Sequence, residues 1–227
     1  MLLDHIRFVL VKPSHPGNIG AAARAMKVMG LKNMVLVQPK LFPHVEATAM
    51  ASGADDILAA ATVVTDLEQA VSDCHFVVGC SVRDRTLNWP CYTARKLAED
   101  VVERQQQSIA IVFGSEQSGL SNEELAVCQA QCIIPVVENF SSLNLAAAIQ
   151  VIAYECFMAT QSEKYAVTFT PPQRPELAKH NDLHRLYVHL EDTLQQLDFL
   201  DPDHPKKLMQ RLRHLFNRAE LDDKEVN

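Results

Sequence analysis

An arginine stands alone among small and apolar residues near the amino end of the chain. The segment HPGNIGAAARAMKVMG (15–30) contains Arg24 in the run AAARAM. Arg24 could act as a fixed cation or as a proton acceptor beside a phosphate, or its stem could carry the guanidinium to solvent. Asn18 is placed to cap a helix and Gly30 to end it. The segment lacks GKS, GKT and GxGxxG, so neither a Walker A loop nor a dinucleotide fingerprint is predicted.

A second candidate loop holds a carboxylate between two glycines. In VFGSEQSGL (112–120), an apolar run leads directly into Gly114, with Gly119 five residues later. These glycines permit close approach of the backbone to a flat ligand, or a positive φ angle. Glu116 lies between them, as a ligand group or as a carboxylate stabilised by the dipole of the next helix. The following SNEEL has the form of a capping box led by Ser121, which leaves Glu116 free for another role.

A third segment places short polar side chains at the mouth of an alanine-rich, apolar helix. It reads FSSLNLAAAIQVIAYE (140–155) and contains Ser142 and Asn144. These groups could cap the first turn, whose N–H groups otherwise lack partners, or they could hold a ligand there. The local sequence leaves both interpretations open.

The chain shows an alternating pattern of predicted strands and helices, and the three segments lie where a strand ends and the next helix begins. The predicted strands lie at 6–11, 33–38, 75–80, 108–113 and 132–137, with a further short candidate at 61–66. The predicted helices lie at 19–29, 55–60, 66–72, 92–105, 121–129 and 143–159. Near-continuous apolar strands separated by helices are typical of a parallel sheet covered on both faces. Ligands bind beyond the carboxyl ends of such strands, where the three segments would meet.

The chain changes character after Thr160. Residues 161–181 contain several prolines and lack a helical period, which indicates a linker. Two helices are predicted beyond it, at 182–198 and 205–220. The predicted units are a body at 1–160, a linker at 161–181 and a helical extension at 182–227.

Bulk composition narrows the possible functions. The formal net charge of −7 argues against nucleic-acid binding by bulk charge, so such binding must rest on local patches. The six cysteines form no CxxC pair and no zinc-finger spacing, which indicates reduced thiols in a cytoplasmic protein. No apolar run is long enough to span a bilayer, so no membrane partner is expected. The amino end is typical of a first strand rather than a signal peptide.

Three motifs in one order carry a family resemblance. The segments NIGAAARAMKVMG, FGSEQSGL and SSLNLAAAIQVIAYE resemble the motifs of the SpoU family of RNA ribose 2′-O-methyltransferases, in the SPOUT superfamily. The resemblance covers roughly residues 5–160. VVGCSVRDRTLNWP (77–90) and the C-terminal helices are similar to the TrmJ branch, which acts on tRNA at the edge of the anticodon loop. It implies an α/β parallel-sheet SPOUT fold with a deep C-terminal trefoil knot, plus a helical C-terminal extension.

The resemblance also implies a cofactor and roles for particular residues. S-adenosylmethionine would be held in the knotted loops by Cys80, Ser81, Val82, Gly114, Gly119, Ile134, Ser142, Leu143 and Asn144. Arg24 would lie beside the target phosphate and the attacking hydroxyl, either positioning charge or assisting proton loss. The groups that orient Arg24 and the hydroxyl would be Asn18, Glu116, Ser142 and Asn144. Because the sulfonium methyl is already activated, no metal is expected.

The resemblance implies that the substrate is a cytidine or uridine in tRNA. It also implies a homodimer in which the second subunit completes the site across the interface. The TrmJ branch usually has arginine where this chain has Ser115, which leaves the set of tRNA substrates open. Two alternatives are a SpoU-type methyltransferase acting on ribosomal RNA or another tRNA position, and a knotted RNA-binding protein without catalysis. A dehydrogenase is not favoured, since no GxGxxG follows the first strand.

The last predicted helix carries a basic stripe. Its members, spaced four, three and four residues apart, are Lys207, Arg211, His214 and Arg218. The spacing puts them on one side of a helix, either as an ordinary solvated face or as a contact to tRNA phosphates. The predicted RNA-binding residues are Arg24, Lys207, Arg211 and Arg218. The neighbouring apolar residues expected to dock this helix onto the body are Leu208, Leu212 and Leu215.

Overall fold

Parallel strands in a single sheet form the centre of the protein. The computed structural model describes residues 3–81, 90–137, 142–161, 176–202, 204 and 206–226. The strands are β1 Ile6–Val11, β2 Asn33–Val37, β3 Thr62–Val64, β4 Phe76–Cys80, β5 Cys91–Thr93, β6 Ile109–Phe113 and β7 Ala130–Ile133. They pair in the order β3-β2-β1-β6-β4-β7-β5, and every pair is parallel. The predicted α/β class with a parallel sheet is confirmed.

Helices cover both faces of this sheet and continue into the extension. Those of the body are α1 Pro16–Val28, α2 Val45–Ala51, α3 Asp55–Ala60, α4 Leu67–Val71, α5 Ala94–Glu103, α6 Asn122–Ala126 and α7 Leu145–Gln161. Those of the extension are α8 His180–Gln196, α9 Leu208–Ala219 and α10 Asp223–Val226. None of the helices in the described part of the chain is long and apolar enough to cross a membrane.

The strand period of two divides the core into two layers. In β1, Phe8 and Leu10 point into the layer beneath α1, α5 and α7, whereas Val9 and Val11 point into the layer beneath α4 and α6. All four side chains are buried. A strand buried on both faces must be apolar at successive positions, which is why the sequence shows continuous apolar runs rather than alternation.

Four elements differ most from the sequence prediction, one of which is the short helix α10, which was not predicted. Helix α2 was not predicted, and β5 occupies the start of the predicted helix 92–105 because Cys91, Tyr92 and Thr93 pair with β7. Strand β7 begins at Ala130 and ends at Ile133, earlier than the predicted 132–137. Pro135 lies in the predicted range and has no N–H to donate to a ladder, so it interrupts strand pairing there.

The extension packs at the amino end of the sheet. The backbone N–H of His180 donates to the carbonyl of Cys74, just before β4, at 2.7 Å. On α9, the Asn217 amide donates to the Cys128 carbonyl at 3.2 Å, and Glu220 pairs with the buried Arg104 at 3.1 Å. The extension is therefore held at the edge opposite to the carboxyl ends of the strands.

The docking face of α9 differs from the predicted one. Leu215 is 46% exposed, so the expectation that it docks the helix is wrong. Phe216 packs instead against the small core of the extension, and Asn217 is buried. The stripe residues Lys207, Arg211 and Arg218 are exposed, as predicted for a solvated or RNA-facing side. The trefoil knot and the division into body, linker and extension stay predictions.

Candidate active site

Three loops meet at the carboxyl edge of the sheet, as predicted from the sequence. They follow β1, β6 and β7, which are not consecutive in the chain. The Asn144 amide N–H donates to Asn18 Oδ1 at 3.0 Å, and Asn18 Nδ2 donates to Glu116 Oε1 at 2.9 Å. One residue from each motif thus contributes to a single chain of hydrogen bonds.

The direction of this chain is set by the carboxylate. An ionised carboxylate can only accept, so the Asn18 amide must turn its NH2 group toward Glu116 and its oxygen toward Asn144. The Asn144 oxygen is then free to accept from the backbone N–H groups of Ala146 and Ala147, at 2.9 and 3.3 Å. Every amide orientation in the network therefore follows from the charge on Glu116.

Glu116 is itself held by the start of α1. Its Oε2 accepts from both the backbone N–H and the hydroxyl of Ser14 at 2.8 Å, and its Oε1 also accepts from the His15 N–H at 3.2 Å. Burial of Glu116 raises its pKa, but the hydrogen bonds from Asn18 and Ser14 outweigh that effect and lower the pKa to about 2. The carboxylate stays ionised and is a poor proton acceptor at neutral pH.

The capping roles are distributed differently from the sequence prediction. Helix α1 begins at Pro16 with His15 as its N-cap, so Asn18 is not the cap and its side chain is used in the network. Gly30 follows the end of α1 with φ +77, as predicted. The capping box of Ser121 with Glu124 is confirmed.

The two interpretations of the mouth of α7 apply to different residues: capping is confirmed for Asn144, and ligand binding by Ser142 stays a prediction. Asn144 caps the helix through its side-chain oxygen. Ser142 makes no hydrogen bond to any described residue, is exposed, and lines a cavity beside the network. Capping therefore belongs to Asn144, and Ser142 is available to a ligand.

A cavity of 310 Å³ opens next to this network. Its volume is at the lower end of the range for small-molecule sites. The predicted cofactor residues that line it are Cys80, Ser81, Gly114, Gly119, Ile134, Ser142 and Leu143. Asn144 lies beside the cavity without lining it, and Val82 lies outside the described residues. Further lining comes from Phe113, Leu145 and Ala148, which the sequence analysis did not single out.

Two thiols form part of the cavity wall. Cys80 and Cys132 are paired positions on β4 and β7. The hydrogen bond with the Cys132 thiol, together with burial, raises the pKa of the Cys80 thiol well above its ordinary value. A thiol in this state is neutral and inert, so this wall is apolar in character.

The two glycines of the second loop have different roles. A Cβ on Gly114 would lie 2.1 Å from the carbonyl carbon of Gly119 and 2.2 Å from the nitrogen of Leu120. The close approach that Gly114 permits is therefore to its own loop. Gly119 has φ +65 and open space around it, so its requirement is conformational.

Arg24 lies apart from the hydrogen-bond network. It is exposed on α1 and makes no hydrogen bond or ion pair with any residue that the structure describes. It is six residues beyond Asn18, which corresponds to about 9 Å along the helix axis. The residues that were expected to orient Arg24 form no hydrogen bond or ion pair with it, and the catalytic role of Arg24 stays a proposal.

Comparison with known proteins decides the family. The chain matches the sequence profile of the SpoU rRNA Methylase family over residues 5–154, and that of the C-terminal domain of the tRNA methyltransferase TrmJ over residues 181–227. The chain belongs to the SpoU methylase family.

Full-length relatives agree with this membership. The tRNA (cytidine/uridine/adenosine-2'-O-)-methyltransferase TrmJ of Pseudomonas aeruginosa (strain UCBPP-PA14) is 49% identical over 236 residues, covering 100% of this chain and 91% of that protein. The tRNA (cytidine/uridine-2'-O-)-methyltransferase TrmJ of Escherichia coli (strain K12) is 44% identical over 230 residues, covering 100% and 92%. The crystal structure of TrmJ from Z. mobilis ZM4 has a TM-score of 0.82 at 32% identity, covering 97% and 93%.

The departure from the TrmJ pattern at Ser115 has a local structural consequence. The Ser115 and Ser118 hydroxyls lie 2.8 Å apart, and the Gly119 N–H donates to the Ser115 carbonyl at 2.9 Å. The Ser115 hydroxyl thus makes its contact inside the loop, at the position where the family resemblance implies an arginine.

Ser14 and His15 are participants in the site that the sequence analysis did not identify. Both bind Glu116 through backbone N–H groups, so the identity of the residue does not reveal the contact. The available signal was position, because residues 12–15 follow β1 at the ligand-binding edge of the sheet.

The ionisation of Glu116 predicts a pH-dependent contribution to stability. Its pKa is about 2 in the folded protein against an ordinary 4.5, so its stabilising effect is complete above pH 4.5 and is lost as the pH falls toward 2. Glu116→Gln should lower the free energy of unfolding at pH 7, and its difference from wild type should shrink between about pH 5 and pH 3. Denaturant titrations at several pH values measure this. A difference that is constant over that range would contradict the assignment.

Proposed function

We propose that this protein transfers a methyl group from S-adenosylmethionine to the ribose 2′-hydroxyl of a cytidine or uridine in the anticodon loop of tRNA. The observation that carries the proposal is the hydrogen-bonded chain of Asn144, Asn18 and Glu116 beside a cavity at the carboxyl edge of the sheet. Membership of the SpoU methylase family and full-length similarity to TrmJ enzymes support the reaction and the substrate class. The proposed compartment is the cytoplasm.

The cavity suits this cofactor in size and lining. Ile134, Leu143 and Leu145 provide an apolar surface for a flat base, and the neighbouring loop provides backbone groups. The residues that would hold the cofactor are Cys80, Ser81, Gly114, Gly119, Ile134, Ser142 and Leu143. S-adenosylmethionine supplies an activated methyl group when it is bound.

The residues of the protein supply position and charge. Glu116 stays ionised and fixes Asn18 and Asn144, so the rim of the cavity is rigid before RNA arrives. The guanidinium of Arg24 offers several N–H donors in a planar fork, so we assign it to the RNA phosphate and to charge that develops at the 2′-oxygen. Proton removal by Glu116 does not fit a carboxylate that already accepts bonds from Ser14 and Asn18.

Methyl transfer to defined RNAs tests the function. Purified protein is incubated with radiolabelled S-adenosylmethionine and either tRNA or ribosomal RNA, and the 2′-O-methyl group is mapped by nuclease digestion and mass spectrometry. Transfer to an anticodon-loop cytidine or uridine of tRNA is expected. Transfer only to ribosomal RNA, or none despite cofactor binding in a calorimeter, would contradict the proposal. A substrate with adenosine at the same position tests which bases are accepted. The name of the Pseudomonas aeruginosa relative includes adenosine, and that of the Escherichia coli relative does not.

The basic stripe of α9 is proposed as an RNA-binding surface far from the cavity. Because α9 docks at the amino end of the sheet, its contacts would lie away from the reacting nucleotide. Changing Lys207, Arg211 and Arg218 together to alanine should weaken tRNA binding and flatten its salt dependence by about 2–3 units. A triple alanine variant of the ion-paired Lys27, Lys32 and Lys96 is the matched control. Equal salt slopes for the two variants would rule out this surface.

A homodimer is proposed from an exposed apolar strip on α7. Tyr154, Phe157 and Met158 are 46%, 36% and 42% exposed and lie on one side of the helix. Helix α7 packs against α1, the helix that carries Arg24, so a two-fold contact through α7 would add a second chain to this pair of helices.

Substitution of the strip tests the dimer. Phe157→Glu should convert a dimer into a monomer in light scattering, because a carboxylate would be buried without a partner. Val188→Glu on α8, at a residue 44% exposed, should leave the dimer intact. A wild-type protein that is monomeric at assay concentration would contradict the proposal.

A further inference from the structure

In the part of the body that the structure describes, two cations lack a carboxylate partner. Among the described residues from 3 to 161, the lysines and arginines that pair with a carboxylate are Arg7, Lys12, Lys27, Lys32, Arg95, Lys96 and Arg104. The side chains of Arg24 and Lys40 form no ion pair or hydrogen bond within that described part. Both are exposed. In a chain with a net charge of −7, a cation without a carboxylate neighbour is a local positive site.

Lys40 lies at the edge of the sheet that carries the candidate active site. It follows β2, so it is at the carboxyl edge of the sheet. Its backbone N–H donates to the carbonyl of Pro13 at 3.1 Å. The next residue after Pro13 is Ser14, which donates twice to Glu116. Lys40 is thus connected through Pro13 and Ser14 to the hydrogen-bond network of the site.

The backbone around Lys40 is held on both sides. Before it, the Gln38 N–H donates to the Val64 carbonyl at 3.0 Å and the Gln38 side chain donates to the Thr65 carbonyl at 2.6 Å. After it, Phe42 packs against the main core. A lysine on a fixed backbone loses only side-chain entropy when it binds an anion, which favours a contact at this position.

We propose that Lys40 binds a phosphate of the tRNA close to the nucleotide that receives the methyl group. This inference rests on the proposed function. A lysine contacts phosphate as a point charge without reading the base, so its contribution is to affinity and placement rather than to sequence choice. It complements the distant stripe on α9 by holding the RNA at the edge where the cavity opens.

Strand β2 provides a matched control for this proposal. Lys32 precedes the strand and Lys40 follows it, so the two lysines lie at opposite edges of the sheet. Lys32 is exposed and lies 3.7 Å from Asp4. Removal of either lysine changes the net charge equally, and only their locations and partners differ.

The experiment compares Lys40→Met, Lys40→Arg and Lys32→Met with wild type. Affinity for tRNA is measured over a range of salt concentrations, together with kcat and KM for methyl transfer and calorimetric binding of S-adenosylmethionine. Lys40→Met should weaken tRNA binding about three- to tenfold and flatten the salt slope by about 0.7–1 unit. KM for tRNA should rise while kcat stays within about twofold, since the contact is equal in ground and transition states. Lys40→Arg should restore binding, and cofactor affinity should not change.

The outcomes separate the inference from the function on which it rests. If wild type methylates tRNA and Lys40→Met has the same salt slope and KM as Lys32→Met, the Lys40 contact is wrong and the function stands. If wild type neither binds nor methylates tRNA, both are wrong. If Lys40→Arg behaves like Lys40→Met, a charge contact to phosphate is also contradicted. The side chain of Lys40 has no described packing role, so these variants are expected to fold.

Discussion

Replacing Arg24 with alanine should lower kcat for methyl transfer by about two to four orders of magnitude, while the affinity for S-adenosylmethionine stays within about twofold. Arg24 is an exposed cation without a described partner, so its loss leaves no buried charge and should not change the melting temperature. It also does not line the cavity, which is why cofactor binding should persist. Single-turnover kinetics and calorimetry measure the two quantities separately.

The same helix offers the control for this result. Lys27 is three residues further along α1 and pairs with Asp56 at 2.8 Å, so Lys27→Ala removes an equal charge from a site without a proposed catalytic role. Lys27→Ala should keep nearly full activity. Arg24→Lys should recover only part of the rate, because an ammonium lacks the planar fork of the guanidinium. An Arg24→Ala enzyme within a few-fold of wild type would remove Arg24 from the mechanism.

The second large effect is expected at Gly114, where alanine should lower the affinity for S-adenosylmethionine about 100-fold or more. A Cβ there would overlap the backbone of Gly119 and Leu120 at 2.1–2.2 Å, and backbone atoms cannot move aside as a flexible side chain can. The loop that carries Ser115 to Gly119 would have to open, and these residues line the cavity. Calorimetric titration with the cofactor measures the loss.

Substitutions at two other glycines provide a comparison for the expected loss of cofactor affinity at Gly114. The space around Gly119 is open, so Gly119→Val should act through strain at φ +65 rather than through bulk. Gly30→Ala, at φ +77 and outside the cavity, should cost about 1–2 kcal/mol of stability and leave cofactor affinity unchanged. If Gly114→Ala binds the cofactor as tightly as Gly30→Ala, the close approach does not shape the site.

The fold class was accessible from the sequence because burial on both faces leaves a strong pattern. β1, β2, β4 and β6 lie within one residue of the predicted ranges, since their apolar runs are continuous. β5 was not accessible, because Cys91–Thr93 is short and only partly buried and its pairing with β7 is non-local. Helix α2 was missed for a similar reason: it is one short element without a strong amphipathic period.

Residue types and motif order also predicted which loops carry the site. Asn18, Glu116 and Asn144 do meet, and the cavity is lined by most of the residues expected to hold the cofactor. The partners were not predictable, because the two key hydrogen bonds join residues 98 and 126 positions apart. The structure also decides that Asn144 caps a helix whereas Asn18 binds the neighbouring loop, because each side chain bonds with the groups that the fold places next to it.

By itself, the sequence determined the parallel α/β class, the three candidate loops and the family, because hydrophobic period and motif spacing are local properties of the chain. Only the tertiary structure decided that Glu116 is held by Ser14 and that the backbone of Lys40 binds Pro13, the neighbour of Ser14. It also decided that the extension docks at the opposite edge. These placements depend on the order of the strands, because that order brings distant segments of the chain together. As a result, some charged side chains are paired and others are left in solvent.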